Sequence, residues 1–227
     1  MIIELTGIPG AGKSTVIEKL KNTLQSRGLV FDLQAYVLER SLLPVRGKTA
    51  YELLLYKHIF LLKSTDWKLL KNLFSVVSSS NNSLFHKINI VRNTLKKLII
   101  YRYLKDREEI FLIDEGVTHI PFTAFVDVGK KISGEKVERF LRGIPPVDHL
   151  LVVDAPDDLL LERVVARGAK GHRRINFTSK EDIAEFMQQS RRVLEYMKKY
   201  FDASIYQNTE REIDTDEIIK ILGLKNV

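Results

Sequence analysis

The sequence predicts an α/β protein built on a parallel sheet, and three observations carry that prediction. The stretch Gly7-Ile8-Pro9-Gly10-Ala11-Gly12-Lys13-Ser14, with Thr15 after it, follows directly on the apolar run Ile2-Ile3-Glu4-Leu5-Thr6. Two glycines with four residues between them, Gly7 and Gly12, then Lys and Ser, form a phosphate-binding pattern, and it sits where such a pattern must sit, between a strand and a helix. Two more dense apolar runs, Ile110-Phe111-Leu112-Ile113 and Leu150-Leu151-Val152-Val153, suit strands buried on both faces. Helical patterns fill the intervals. At 227 residues with 44% apolar content, the chain suits one domain with an elaboration and a full core.

Taken in order, the first strand covers Ile2 to Thr6. A helix from Lys13 to about Arg27 follows, with Val16, Ile17, Leu20 and Leu24 on one face and Gly28 placed to cap it. Leu29 to Leu33 reads as a second strand, completing a βαβ unit. Residues 34–106 read as a helical insertion over the substrate side of the sheet. Within it Tyr51 to Leu62 and Lys87 to Leu104 have helical spacing, and the polar stretch Ser75 to Ser83 between them is the best candidate for a mobile loop. Ile110 to Ile113 is the third strand, ending in Asp114-Glu115-Gly116. One short helix is expected near Glu135 to Leu141, closed by the break Gly143-Ile144-Pro145-Pro146. Leu150 to Val153 is the fourth strand, and Asp154 and Pro156 open a helix reaching Arg167. Thr178-x-x-Glu181 is a capping box before a long helix through Ile183, Phe186, Met187, Val193, Leu194, Met197 and Tyr200. Ala203 to Gln207 reads as the last strand, and Asp214-x-x-Glu217 caps a final helix ending near Gly223.

The residue types in the loop follow from what a phosphate chain demands. Backbone N–H groups must turn inward, which requires glycine wherever a Cβ would collide or φ must be positive. Gly7, Pro9, Gly10, Ala11, Gly12, Lys13, Ser14 and Thr15 are therefore the candidate nucleotide-binding residues. Lys13 would reach the β- and γ-phosphates, the Ser14 hydroxyl would ligate Mg²⁺, and the following helix would aim its positive dipole end at the anion. Asp114 and Glu115 lie at the C-terminal end of a buried strand, where open α/β sheets bind ligands. Asp114 is the candidate to hold Mg²⁺, and Glu115 to accept a proton or position a nucleophile. A solvated acidic turn is the plainer reading of the same pair. The basic run Arg167-Gly168-Ala169-Lys170-Gly171-His172-Arg173-Arg174 has glycine hinges and suits a segment that closes on a phosphate chain, over about 167–177. Its plainer reading is a turn whose cations complement a helix C-terminus.

Composition narrows the classes. There is no Cys, so disulfides and thiolate metal sites are excluded, and the five His are scattered without ligand spacing. No apolar run approaches the roughly 18 residues of a membrane span, and the first strand begins too early for a signal peptide, so a cytoplasmic protein is expected. The net charge is +7, but eleven Lys or Arg against Asp66 and Asp106 give residues 57–107 a balance of +9, leaving −2 for the rest. Any function that explains the basicity is local to that segment.

In this order, phosphate loop, acidic pair after a middle strand, strand, helix, basic loop, long helix and last strand, the chain resembles the P-loop nucleoside and nucleotide kinases, thymidylate kinase-like in particular. The resemblance implies a three-layer P-loop NTPase sandwich with a five-stranded parallel sheet ordered 2-3-1-4-5, ATP with Mg²⁺ as cofactors, and an arginine-bearing lid. By position it places Asp114 and Glu115 at the acidic end of the family's third strand, Arg167, Arg173 and Arg174 in its lid, and residues 207–210 near its adenine pocket. The family usually carries Asp-Arg where this chain has Asp114-Glu115. It also has an acidic-proline acceptor loop where this chain offers only Glu39-Arg40 as substrate-binding candidates. Both departures fall on the acceptor side, so the expected acceptor is a nucleoside monophosphate or nucleoside first, then a sugar or polyol. A homodimer is a further expectation of the partner reading.

Other classes are weighed on their own signals. A GTPase would show Asn-Lys-x-Asp before the last helices, and none is present. A motor or AAA+ ATPase needs a longer module. No DNA-binding motif is evident. An ATPase that touches anionic lipid or nucleic acid through the basic 57–107 segment stays open as the alternative, since basic amphipathic helices read that way.

Overall fold

A computed structural model describes residues 1–24, 32–39, 48–80, 83–168, 180–209 and 213–224. Four strands make the sheet: β1 (Ile2–Thr6), β2 (Phe111–Asp114), β3 (His149–Asp154) and β4 (Ala203–Gln207), all parallel, in the order β2-β1-β3-β4. Ten α-helices are described: α1 (Lys13–Leu24), α2 (Leu33–Glu39), α3 (Lys48–Lys57), α4 (Ser64–Ser78), α5 (Leu84–Leu104), α6 (Ile120–Ala124), α7 (Gly134–Leu141), α8 (Asp157–Gly168), α9 (Lys180–Tyr200) and α10 (Thr215–Ile221). Every residue of β1 and all but the first of β3 are buried. This accounts for the apolar run Leu150 to Val153 and for the apolar residues of β1 around Glu4, since parallel strands are covered on both faces.

Two of the sequence expectations are corrected. The five-stranded sheet ordered 2-3-1-4-5 gives way to four strands among the described residues. Of the expected second strand, Leu33 begins helix α2, while 29–31 lie outside the described residues. The Asp32 Oδ1 accepts from the Ala35 N–H at 3.0 Å and its carbonyl from the Tyr36 N–H at 3.0 Å, an N-cap that starts α2 at the end of the expected strand. Helix α2 then sets Tyr36 edge-on against Phe111 of β2, with ring centroids 4.9 Å apart.

The loop expected over Ser75 to Ser83 is the second correction. Ser75 to Ser78 are the last turn of α4, a helix that sequence reading leaves unassigned although Leu69, Leu70, Leu73 and Val77 are buried at helical spacing. The serines finish it, because the hydroxyls of Ser78, Ser79 and Ser80 donate to the carbonyls three residues back at 3.0, 2.8 and 2.8 Å. Ser83 then caps α5, its Oγ accepting from the His86 N–H at 3.3 Å. Asn81 and Asn82 lie outside the described residues. Between β2 and α7, the helix α6 and a short 3-10 turn over Val117–His119 are further elements that sequence reading does not anticipate.

Of the other expectations, the Gly28 cap of the first helix and the Thr178 capping box lie outside the described residues, and the helix expected over Tyr51 to Leu62 ends at Lys57 and is followed by a 3-10 turn over Ile59–Leu61. Helix α1 starts at Lys13, α8 and α9 flank the basic run, and the Asp214 Oδ1 accepts from the Glu217 N–H at 2.9 Å to cap α10. The insertion is helical, as expected, and comprises α2 to α5.

Within the insertion the start of α4 is bound to the end of α5. Arg102 donates through Nε to Asp66 Oδ2 at 2.8 Å and through a terminal nitrogen to Oδ1 at 2.7 Å, and Asp66 also accepts from the Lys63 N–H at 2.8 Å. Asp66 is fully buried. Removing one partner of a buried, bidentate pair strands the other, so Asp66→Ala is expected to lower unfolding free energy by about 3–5 kcal/mol. Urea denaturation measures this, and a loss under about 1 kcal/mol would show that the pair does not hold the hairpin.

Candidate active site

The phosphate loop folds as its composition requires. Gly7, Gly10 and Gly12 have φ of 146°, 97° and 89°, a region that side chains other than glycine's seldom occupy. Space forbids a side chain as well: a Cβ at Gly7 would strike the Val153 carbonyl oxygen, and one at Gly12 would strike the Asn208 amide nitrogen. Ile8 and Ala11 are fully buried beneath the loop. The Ala11 N–H bonds to the Ile8 carbonyl at 3.1 Å, and the Thr15 and Val16 N–H groups to the Gly12 carbonyl at 3.0 Å, which opens α1. Ser14 and Thr15 are exposed at that helix start and Pro9 is half-buried.

Lys13 is buried and folded back over the loop. Its Nζ donates to the carbonyls of Gly7 and Ile8 at 3.1 and 3.4 Å and lies 3.6 Å from Glu115 Oε1. The loop lysine and the acidic turn after β2 thus converge at the C-terminal ends of adjacent strands, where β1 and β2 place Leu5 beside Asp114. Asp114 is exposed. Glu115 is the one described residue other than glycine with positive φ, at 51°, and its N–H donates to the Leu5 carbonyl at 3.1 Å. A left-handed glutamate costs about 1–2 kcal/mol, and such outliers gather at functional sites. His119 Nε2 stands 3.5 Å from the same Glu115 oxygen.

Several residues that sequence reading passes over complete the site. Glu4, in the middle of β1, is fully buried, and its Oε1 accepts both the Thr118 N–H at 2.9 Å and the Thr118 hydroxyl. Its carboxylate abuts Gly116, where a Cβ would strike it. Lys97, from α5 of the insertion, donates to the Gly116 carbonyl at 3.1 Å. Burial pushes the Lys97 ammonium below its usual range, while Glu4, Glu115 and Asp114 pull it the other way. Asn208, just beyond β4, is buried and donates from Nδ2 to the Ala11 carbonyl at 2.7 Å, while its N–H bonds to the Asp154 carbonyl at 2.7 Å. Arg163 of α8 reaches the Gly10 carbonyl at 3.4 Å. Arg191 of α9 anchors the end of β3 through Asp154 at 2.6 Å and the Ala155 carbonyl at 2.6 Å.

A polar residue inside an apolar strand, as Glu4 is, was the available signal for that group. Lys97 and Asn208 carry none, because only the tertiary fold brings them in. On the lid side, α8 carries the backbone through Arg167 and Gly168, while Arg173 and Arg174 lie outside the described residues, as does the Arg167 side chain. Glu39 ends α2 but its side chain, like all of Arg40, also lies outside them.

The donor set suits ATP with Mg²⁺ as far as it is described. The loop has the positive-φ glycines that an inward-turned backbone needs, and the site offers an exposed Ser14 hydroxyl and an exposed Asp114 carboxylate for a hard cation. Among the described residues no group of three or more His, Asp or Glu forms a metal site made by protein alone.

No protein-family model and no curated protein matches the chain. Solved structures do. A deoxyadenosine kinase from M. mycoides with bound dATP is 14% identical over 100% of both chains, with a TM-score of 0.48. A shikimate kinase from Bacteroides thetaiotaomicron is 16% identical over 98% of each chain at 0.49, and one from Acinetobacter baumannii in complex with shikimate is 15% identical over 100% and 95% at 0.43. Likeness of this degree says nothing of what this chain acts on, so its function is read from Gly7–Thr15 and the turn after β2.

The buried Glu4 supplies a test of the site's electrostatics. Burial raises its carboxyl to about 7 from 4.5, against the opposing pull of Thr118 and Lys97. Between those values the folded protein keeps a proton that the unfolded chain releases. Glu4 therefore contributes most below pH 4.5, and the contribution is lost as pH rises through about 7. Glu4→Gln should be close to wild type in stability near pH ~4 and the more stable of the two near pH ~8. Urea titrations at both pH values measure it, and a constant difference would contradict the raised value.

Proposed function

We propose that the protein transfers the γ-phosphoryl group of ATP, with Mg²⁺, to a small acceptor held between the sheet and the insertion. The observation that carries this reading is the convergence of Lys13 with Glu115 over a loop that glycine alone can form. Such transfer needs positioning and charge neutralisation more than covalent chemistry by the protein. Bound there, ATP and its metal would supply the transferable group and a cation that neutralises charge developing on it.

The chain's own residues have separable tasks. The loop amides and Lys13 hold the phosphates, in exchange for the carbonyl and carboxylate contacts that Lys13 makes in this structure. Ser14 and Asp114 would hold the metal. Glu115 is placed to accept the proton of an acceptor hydroxyl. It has less to do if the acceptor is a phosphate, whose oxygen is already ionised near pH 7. Arg167, Arg173 and Arg174 are proposed to close over the moving group and exclude water. Glu39 and Arg40 are proposed on the acceptor side. A nucleoside or nucleoside monophosphate is the first candidate acceptor and a sugar or polyol the second.

Lys13→Ala should leave the fold intact, since a methyl group fits where the loop is already closed by its own backbone bonds, and should reduce turnover on the order of 10²–10³-fold. The measurement is label transfer from ATP to a panel of nucleosides, nucleoside monophosphates, sugars and polyol phosphates. One acceptor class should take label well above the rate of hydrolysis. Steady hydrolysis that no acceptor alters, or full activity of the alanine variant, would overturn the reading.

A further inference from the structure

The outer side of the α4–α5 hairpin is both apolar and basic. On α4, Trp67 and Phe74 lie seven residues apart on one stripe and are 50% and 64% exposed. On the first turns of α5, Leu84, Phe85 and Ile88 are 73%, 65% and 56% exposed. Phe74, Leu84 and Ile88 are contiguous, since with Val91 and Leu95 they line one open groove of about 400 Å³ between the helices. Single exposed apolar side chains need no explanation, but a connected patch does.

Cations border this patch, and its own segment adds no exposed carboxylate between Asp66 and Asp106. Lys68 and Lys71 on α4 and Arg92 on α5 are exposed, and Lys87 lines the groove. Between Asp66 and Asp106 the chain has no Asp or Glu, and Asp66 is buried and held by Arg102. The cations of α5 that face inward are engaged there: Lys96 with Glu52 at 2.8 Å, Lys97 with Gly116, and Arg102 with Asp66. The insertion is thus basic on two sides, and the outer one meets no opposite charge from its own segment.

We propose that this outer face of α4 and α5 docks on the surface of a lipid bilayer carrying anionic headgroups. Trp67, Phe74, Leu84 and Ile88 enter the boundary between headgroups and acyl chains, and Lys68, Lys71 and Arg92 lie against the lipid phosphates. Helices with this division of residues lie in the interfacial plane, and each Lys or Arg near an anionic leaflet adds electrostatic attraction. Among the described residues no helix is long and apolar enough to cross a membrane, so the contact is one of surface. A second copy of the chain fits the face less well, because a two-fold contact would oppose the same lysines with no carboxylate between them. Nucleic acid would use the cations but leave the aromatic and aliphatic residues without a role. The inference stands apart from phosphoryl transfer, since it needs neither ATP nor an acceptor.

Trp67 is the chain's single tryptophan, which makes the face self-reporting. The experiment mixes the full chain, without nucleotide, with vesicles of phosphatidylcholine alone or with about one third phosphatidylserine, at about 0.1 M salt. The serine lipid should bring the protein down with the vesicles and shift the Trp67 emission to the blue. Binding should weaken at least about tenfold at about 0.5 M salt, and at least about tenfold in Lys68→Glu/Lys71→Glu. Phe74→Ser/Ile88→Ser, whose sites are exposed, should also weaken binding while circular dichroism stays unchanged. Absence of binding to the anionic vesicles by folded protein would overturn the proposal, as would binding that neither pair of substitutions alters. Two other results would replace it. A dimer that Phe74→Ser/Ile88→Ser dissociates, with vesicle binding unchanged, assigns the face to a second copy. Duplex or single-stranded nucleic acid that binds more tightly than the vesicles, and is indifferent to the apolar pair, assigns it to nucleic acid.

Discussion

The site depends on the approach of one backbone to another at the C-terminal ends of β1, β3 and β4. Gly7 passes so close to Val153 that no Cβ fits, and Gly12 lies against Asn208, whose amide in turn holds the Ala11 carbonyl. Parallel strands make this closeness possible because all of their loops emerge at one edge. Two strands therefore brace a loop that belongs to a third. The brace continues outward: Asn208 is fixed by its N–H to Asp154, and Asp154 by Arg191 of α9. A loop proposed to present its amides to an anion is thereby held by the protein itself, which is the condition for charge stabilisation without reorganisation.

The acidic turn is held by a different device. Glu115 is in a left-handed conformation, and neighbouring residues keep it there. On one side its N–H is fixed to Leu5 of β1. On the other, Gly116 is pressed against Glu4 and Thr118 is bound to it, while Lys97 draws the Gly116 carbonyl toward α5. Because Lys97 comes from the insertion and Glu4 from the central strand, the turn is the place where insertion and sheet meet. Movement of α5 would bear directly on Glu115, which couples the proposed acceptor side to the residue proposed to act on the acceptor.

How much of this was legible in the sequence follows from the range of the forces involved. The strands β2 and β3 and the loop are written in contiguous residues, because burial on both faces favours dense apolar runs and a phosphate cradle demands glycine at fixed spacing, while β4 is only partly buried and shows in its β-branched and aromatic Ile205 and Tyr206. Caps are similarly local, and Asp214 behaves as its spacing to Glu217 predicts. At the end of Leu29 to Leu33 the reading misled, because an apolar run of strand length does not reveal that Asp32 caps a helix begun by Leu33, while 29–31 lie outside the described residues. Ser75 to Ser83 misled for the opposite reason, since serine suits loops in general yet here closes helical turns on its own backbone. Lys97, Asn208 and Arg163 were beyond reach. Each acts on a carbonyl distant in sequence, and carbonyls leave no trace in residue type.

The charge of the insertion shows the same limit from another direction. A sum of +9 over residues 57–107 cannot say whether the cations serve a site, the fold or a partner. The structure divides them by geometry. Arg102 satisfies a buried carboxylate and is part of the fold, whereas Lys97 reaches the turn that carries Glu115 and is part of the site. Lys68, Lys71 and Arg92 do neither, since they are exposed beside apolar groups that a water-facing helix has no reason to keep. Cost and neutrality then separate the three sets. The inward cations are fixed by the partners they would strand if removed, and the outward ones are free to be exchanged for polar residues without harm to the fold. Charge and exposed aromatic residues together on that outer side suit the proposed contact with something anionic and apolar at once, a description that a lipid surface meets.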